Sequence, residues 1–307
     1  TEDTEETFTS TIEDRAHSCG HDAHVAMLLG AARILSENRS ELPGRVRLMF
    51  QPGEEGSGGA RVMIDEGVLD GVDRAFALHV TPNIPAGFVA TRPGPMMASA
   101  DTFRLEVTGR GGHASTPHFC TDPIPAACAT VTALHTQLTR EVEAFNPAVL
   151  TVAHIEAGTT TNVIPETAMV EGTIRAVSET SRLKTHQLVE RVATNPAAAH
   201  GCSCDVQIGH GYPVTVNHAD QVALFEGVAA ATLGDSRYVE MPTPVMGAED
   251  FSYVLNDRPG LMAFLGVCPD DIENSFEAAP NHSNRMRLNE SAMPTGAALH
   301  VAMALTA

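Results

Sequence analysis

Three His, one Cys and one Asp stand within the eight residues His17-Ser18-Cys19-Gly20-His21-Asp22-Ala23-His24, and every one of those side chains can ligate a metal. Cys19 and His21 are two apart. On a helix that spacing puts them on opposed flanks, whereas in an extended segment it puts them on one side. Extended backbone just ahead of a helix, loosened at Gly20, can therefore aim both at one point. A thiolate beside an imidazole suits zinc, cobalt or a manganese-like substitute better than magnesium or calcium. Taken alone, a Cys-x-His reads better as a buried thiol next to a loop histidine. The balance turns on further donors later in the chain.

Glu54 and Glu55 are adjacent, and neighbouring side chains on extended backbone face opposite ways. One can then ligate a metal while the other acts as a base. His79 ends an apolar run, Ala75-Phe76-Ala77-Leu78, that reads as a buried strand, and His282 precedes the last helical pattern of the chain. In open α/β sheets, ligand sites lie beyond the carboxyl ends of strands. Each feature alone is weak: a His at a strand end is commonly structural, and paired Glu in a Gly-rich loop are commonly solvated. Together Cys19, His21, Glu55, His79 and His282 gather at the edges of one sheet. Five donors exceed the four of a closed structural zinc site and suit two metals that share ligands.

The elements that must position these groups are set by periodicity. Val25, Leu28, Leu29, Ala32 and Leu35 recur at helical spacing, which predicts a helix over about 22–37 with Asp22 as its cap. Val46, Leu48 and Phe50 alternate with Arg45, Arg47 and Met49, as in a strand. A Gly-rich loop and a short helix to Glu66, stopped by Gly67, lead to the strand before His79. Strand, helix, strand in that order indicates a mostly parallel α/β sheet. From about residue 98 the order becomes strand, helix, strand, strand, helix, strand. Asp122-Pro123 opens the first of these helices, Ser178 caps the second, and Pro196 should kink or shorten that second helix. This is the split βαβ arrangement, self-contained over 98–210. After 211 the α/β pattern returns, with helices at about 219–233 and 290–305 around a buried strand at 261–266. The expectation is therefore a discontinuous domain of residues 1–97 and 211–307, with 98–210 inserted into it.

Composition bounds the function. A net charge of −19 argues against nucleic acid or an anionic membrane as partner and agrees with a protein that holds multivalent cations. No window reaches the ~18 apolar residues of a membrane span. Six cysteines without a Cys-x-x-Cys pair suit free thiols in a reducing compartment, so a cytoplasmic location is expected. The chain begins at Thr1 rather than Met, which leaves a preceding targeting segment open.

Seven motifs stand in a familiar order: Cys19-Gly20-His21-Asp22-Ala23-His24, Gln51-Pro52-Gly53-Glu54-Glu55-Gly56, Gly112-His113-Ala114-Ser115, Asn162-Val163-Ile164-Pro165, Gly172-Thr173-Ile174-Arg175, Met246-Gly247-Ala248-Glu249-Asp250-Phe251 and Asn281-His282-Ser283. From about Ala16 onward the chain resembles the M20 metallopeptidases, and within them the amidohydrolase subgroup of hippurate hydrolases, N-acyl-amino-acid amidohydrolases and auxin-conjugate hydrolases. The resemblance implies a zinc-peptidase-like mixed sheet between helices, carrying an inserted ferredoxin-like (βαββαβ) lid through which the chain forms a homodimer. It implies Cys19, His21, Glu55, His79 and His282 as ligands of two divalent ions (zinc, manganese, cobalt or nickel) and Glu54 as catalytic base. It implies His113 as a lid residue reaching an active site, often a partner subunit's, and Asn162 and Arg175 as binders of the substrate carboxylate. Family members carry a longer segment before Cys-Gly-His, and here Gly53 replaces a common Ala and Asn284 a common Pro.

The implied reaction is metal-dependent hydrolysis of the amide bond of an N-acyl amino acid. Two other readings compete with it. One is a shortened homologue that binds metal or ligand without catalysis; Glu54 speaks against it, since a binder needs no base. The other is a dipeptidase or aminoacylase of the same family. Glu249 and Asp250 are read as outer partners of the metal ligands. Residue by residue, plainer roles stay open: His113 as a turn residue, Asn162 as a left-handed turn residue, Arg175 as a surface charge, Glu249 and Asp250 as helix N-terminal carboxylates, and His24 as a structural histidine.

Overall fold

The computed structural model describes residues 2–306. In chain order its helices are α1 (His21–Glu37), α2 (Glu54–Ser57), α3 (Gly59–Asp65), α4 (Pro123–Glu141), α5 (Glu179–Ala199), α6 (Ala219–Leu233), α7 (Phe251–Asp257) and α8 (Met293–Leu305). Its strands are β1 (Ala75–Thr81), β2 (Val89–Thr91), β3 (Gly94–Met97), β4 (Asp101–Thr108), β5 (Gly112–His113), β6 (Ala148–Ala157), β7 (Val163–Ile164), β8 (Thr167–Ala176), β9 (Ser203–Gly209), β10 (Thr215–Asn217), β11 (Tyr238–Glu240) and β12 (Gly260–Gly266). This mixed α/β chain divides into two compact units. The first runs to Met96 and takes in Val216–Thr243 and the residues from Tyr253 on; the second comprises Met97–Thr215 and Pro244–Ser252.

The first unit is built on a four-stranded sheet of order β1-β12-β2-β11. β1 and β12 run parallel, from Ala75 opposite Gly260 to Thr81 opposite Gly266, while β2 is antiparallel to β12. All of β12 is buried, as its unbroken apolar sequence requires. Helix α1 buries Ala23, Met27, Ala31 and Leu35, one residue per turn. That stripe meets α8 closely: a Cβ on Gly296 would lie 2.1 Å from Met27 Sδ, so a larger residue there would force Met27 to move. Val80, Phe225, Leu261, Leu265 and Leu299 are fully buried in the same core, and each such side chain contributes roughly 1.5–3 kcal/mol.

Three local expectations fail here. Residues 45–50 carry strand alternation but join no ladder among the described residues, because alternation specifies an extended backbone and not a neighbour to pair with. Asp22 lies inside the first turn of α1, and the cap position is Gly20, which makes no side-chain hydrogen bond. β1 continues through His79 to Thr81, so that histidine projects from within the strand.

In the second unit the antiparallel sheet has order β6-β8-β4-β9. β4 alternates buried and exposed residues along its whole length, and Phe103, Leu105 and Val107 enter a core with Leu134, Ile174 and Leu188 from α4, β8 and α5. Asp122 accepts from Ile124 N at the start of α4, with Pro123 next, and Ser178 accepts from Ser181 N at the start of α5. α5 runs to Ala199, so Pro196 does not end it early. Only its last turn lies beyond the proline, and Ala193 and Ala197, both fully buried, hold that turn in the core. No helix among the described residues is long and apolar enough to cross a membrane.

Candidate metal centre

The donors expected from the sequence meet in the first unit. Gly20 adopts φ 81, a left-handed conformation that turns the chain sharply between Cys19 and His21. Cys19 therefore projects from the segment before α1 while His21 projects from its first residue. His79 comes from β1, and Glu54 and Glu55 from α2, whose backbone leaves helical geometry at Glu55 and Gly56. His282 has φ 70, uncommon for a residue with a side chain, and its N–H donates to Ser18 O at 2.7 Å.

The distances are short. Cys19 Sγ lies 3.5 Å from His79 Nε2 and 3.2 Å from His282 Nε2. His282 Nε2 lies 3.0 Å from Glu55 Oε1, and His21 Nε2 lies 3.8 Å from Glu54 Oε2. These contacts form three overlapping triads, each with its ligand atoms within 4.8 Å of one another: Cys19 with His21 and His79, Cys19 with Glu55 and His282, and His21 with Glu54 and Glu55. Glu55 and His282 are exposed, and Cys19, His21 and His79 are partly buried. A cleft of about 310 Å³ opens over Cys19, His21, Glu55 and His282, lined also by Ala16, His17 and Ser18.

Protonation favours metal binding. Burial pushes His79 down to about 4 and lowers His21 as well, so both are neutral imidazoles at neutral pH. The tautomer of His79 is fixed by geometry. Its Nδ1 is 2.8 Å from Val80 O, and a carbonyl only accepts, so Nδ1 carries the proton and Nε2 offers a lone pair toward Cys19. A thiol sulfur, three imidazole nitrogens and carboxylate oxygens converging from four chain segments make a donor set suited to borderline or soft divalent ions.

The remaining three candidates lie in the second unit. His113, on β5, is exposed, and its Nδ1 accepts from Ser115 N at 3.1 Å. Asn162 precedes β7, and its carbonyl accepts from Ala114 N, so β5–β7 pairing brings His113 and Asn162 together. Arg175 is half-buried on β8, opposite Val149 of β6. Glu249 accepts from Phe251 N at the start of α7 at 3.1 Å, the plainer of its two expected roles.

Sequence reasoning gave neither His24 nor Asn281 a part in the centre. His24 Nε2 accepts from Val80 N at 2.9 Å, and Asn281 Nδ2 donates to Cys19 O at 2.9 Å and Val80 O at 3.2 Å. The signal for His24 was its place three residues after His21, on the same helix face.

An α/β unit presenting this donor set is the framework of a metal-dependent hydrolytic enzyme. The chain belongs to peptidase family M20/M25/M40, whose profile matches residues 1–306, and to its amidohydrolase subgroup. It is 41% identical over 300 residues to IAA-amino acid hydrolase ILR1-like 2 of Arabidopsis thaliana, covering 96% of this chain and 67% of that protein. It is 38% identical over 301 residues to thermostable carboxypeptidase 2 of Saccharolobus solfataricus, covering 97% of this chain and 75% of the relative. The YXEP protein of Bacillus subtilis, a dinuclear metal-binding peptidase of the M20 family, superposes with a TM-score of 0.84 at 30% identity, over 99% of this chain and 77% of that one.

Proposed function

We propose that this enzyme hydrolyses the amide bond of N-acyl amino acids, releasing a carboxylic acid and a free amino acid, in the cytoplasm. The observation that carries the reading is the meeting of Cys19, His21, Glu55, His79 and His282 with Glu54 beside them. The five would hold two divalent ions, zinc, manganese, cobalt or nickel. When bound, such a pair lowers the pKa of water toward neutrality and polarises a carbonyl. Glu54 would receive the proton released as water attacks the acyl carbon, then return it to the amine nitrogen as the C–N bond breaks. His113 would donate to the oxyanion, where losing one donor typically costs about 2.7–4 kcal/mol of barrier. Arg175 would grip the amino-acid carboxylate as a two-pronged fork, with Asn162 alongside.

In the same reading, residues 1–97 with 211–307 form the catalytic domain, and 98–210 form a ferredoxin-like lid that pairs two subunits. The strand order β6-β8-β4-β9 and the two helices α4 and α5 support that assignment. The Arabidopsis relative, named for IAA-amino acid conjugates, supports an acyl–amino acid substrate. The archaeal relative, named a carboxypeptidase, favours a peptide substrate as the second reading.

Elemental analysis combined with a substrate panel separates these. The purified protein is expected to carry two metal ions per chain and to turn over at least one of a set of N-acetyl, N-benzoyl and indole-acyl amino acids. Turnover confined to peptides would favour the carboxypeptidase reading. Less than one ion per chain, with no turnover on any panel member, would overturn both.

A further inference from the structure

Val80 is a point on which the segments of the metal centre converge. It is completely buried on β1, the edge strand of its sheet. In a strand, the N–H and C=O of one residue point to the same side, and those of Val80 are taken by side chains. His24 Nε2 accepts from its N–H at 2.9 Å. Its C=O accepts from His79 Nδ1 at 2.8 Å and from Asn281 Nδ2 at 3.2 Å. The side chain is engaged too: a Cβ on Gly20 would lie 2.4 Å from Val80 Cγ2, so the backbone between Cys19 and His21 rests directly on it.

The same contact fixes the tautomer of His24. An amide N–H only donates, so Nε2 must offer its lone pair and the ring is neutral with its proton on Nδ1. That lone pair is committed to Val80, and His24 joins none of the metal-binding triads among the described residues. Its ring nonetheless packs edge-on against His79, centroids 4.6 Å apart, and tilts over His21 at 5.3 Å. His24 thus touches two ligand rings without being a ligand.

We propose that His24 is a positioning residue of the metal centre: it pins the Val80 backbone through Nε2 and so sets where β1 presents His79 Nε2. The chemical reason is that Val80 N–H lies in the interior with no water to turn to. Removing its acceptor forces the strand edge to shift, and the shift moves the His79 ring, whose Nδ1 is hydrogen-bonded to the carbonyl of the same residue. The cost falls on metal affinity, because outer partners of metal ligands typically change it 10–100-fold when lost. This inference rests on reading the five donors as metal ligands.

The test uses the full chain, stripped of metal and titrated with cobalt(II) by equilibrium dialysis, with thiolate-to-cobalt charge-transfer absorption reporting Cys19. H24L keeps an apolar side chain of similar size but no acceptor; its cobalt Kd is expected to rise tenfold or more, with an altered charge-transfer band. H24Q supplies an amide oxygen near the former Nε2 and is expected to bind cobalt within about threefold of the parent, since the hydrogen bond is restored. A merely space-filling histidine would not distinguish the two replacements in that order. Parent-like affinity in H24L overturns the proposal, as does an H24Q impaired as badly as H24L. If H24L does not fold, H24Q decides: retained affinity supports the role and lost affinity refutes it. A parent chain that takes up no cobalt overturns the metal centre itself, a failure separate from that of His24.

Discussion

Arg182 grips Asp101 with two parallel hydrogen bonds, Nε to Oδ2 at 2.8 Å and Nη2 to Oδ1 at 2.7 Å. The carboxylate is fully buried and also accepts from His186 Nε2 and Gly211 N, each at 2.9 Å. It ties the start of β4, the first turns of α5 and the segment after β9 into one knot in the second unit. Asp101→Asn removes the buried counter-charge and leaves Arg182 only the more exposed Glu179, 3.3 Å from Nη1. The loss should therefore approach the ~3–5 kcal/mol typical of breaking a buried pair without reaching its upper end. Urea unfolding should show a midpoint lowered accordingly, and an unshifted midpoint would mean that the knot is not structural.

His300, on α8, lies with its ring 5.2 Å from that of Phe76, and burial pushes it down to about 4. In the unfolded chain it titrates near 6.5. Between those values the unfolded state binds more protons than the folded one, so stability falls as pH drops from about 6.5 to about 4 and is insensitive to this group below that. The whole effect is worth roughly 3 kcal/mol. His300→Gln should flatten the dependence of unfolding free energy on pH across that window relative to the parent. Equal slopes for the two proteins would contradict the assignment.

Glu54→Gln preserves the size of the side chain and removes its basicity. The variant should retain the parent's metal content and lose about 10²–10⁴-fold in kcat, the usual worth of a general base. The comparison requires matched metal stoichiometry. Turnover at the parent rate would take Glu54 out of the chemistry.

Metal removal should loosen the first unit. A ligand that binds only the folded state at a hundred times its Kd adds about 2.7 kcal/mol, so chelation should lower the melting temperature and added zinc or cobalt should restore it. Cys19→Ser and His282→Ala, whose reacting atoms sit 3.2 Å apart, should each blunt that restoration. A full metal-induced rise in both variants would place the ions elsewhere.

Much of this was legible in the sequence because some residues act locally. Asp122-Pro123 and Ser178 announce helix starts, since a cap needs only its own next few residues. The donors were each weak signals and became legible only together, through the ordered motifs that carry them. What failed depended on partners far along the chain. Alternation at 45–50 specified an extended backbone but could not specify pairing, and Pro196 could not reveal that Ala193 and Ala197 would be packed firmly enough to carry the helix past it. His24 was hidden for the same reason: its acceptor role belongs to Val80, 56 residues away.

The extended ribbon at 45–50 has a further bearing on handling the protein. Val46, Leu48 and Phe50 are 38%, 36% and 39% exposed, on backbone already shaped to template another strand. Such a stretch is where concentrated solutions begin to gel or form fibrils. Arg45 and Arg47 interleave with these apolar residues, and Arg47 Nη1 donates to Gly67 O and Val68 O. The net charge of −19 keeps whole molecules apart, so association through this ribbon should grow in high salt, where that repulsion is screened.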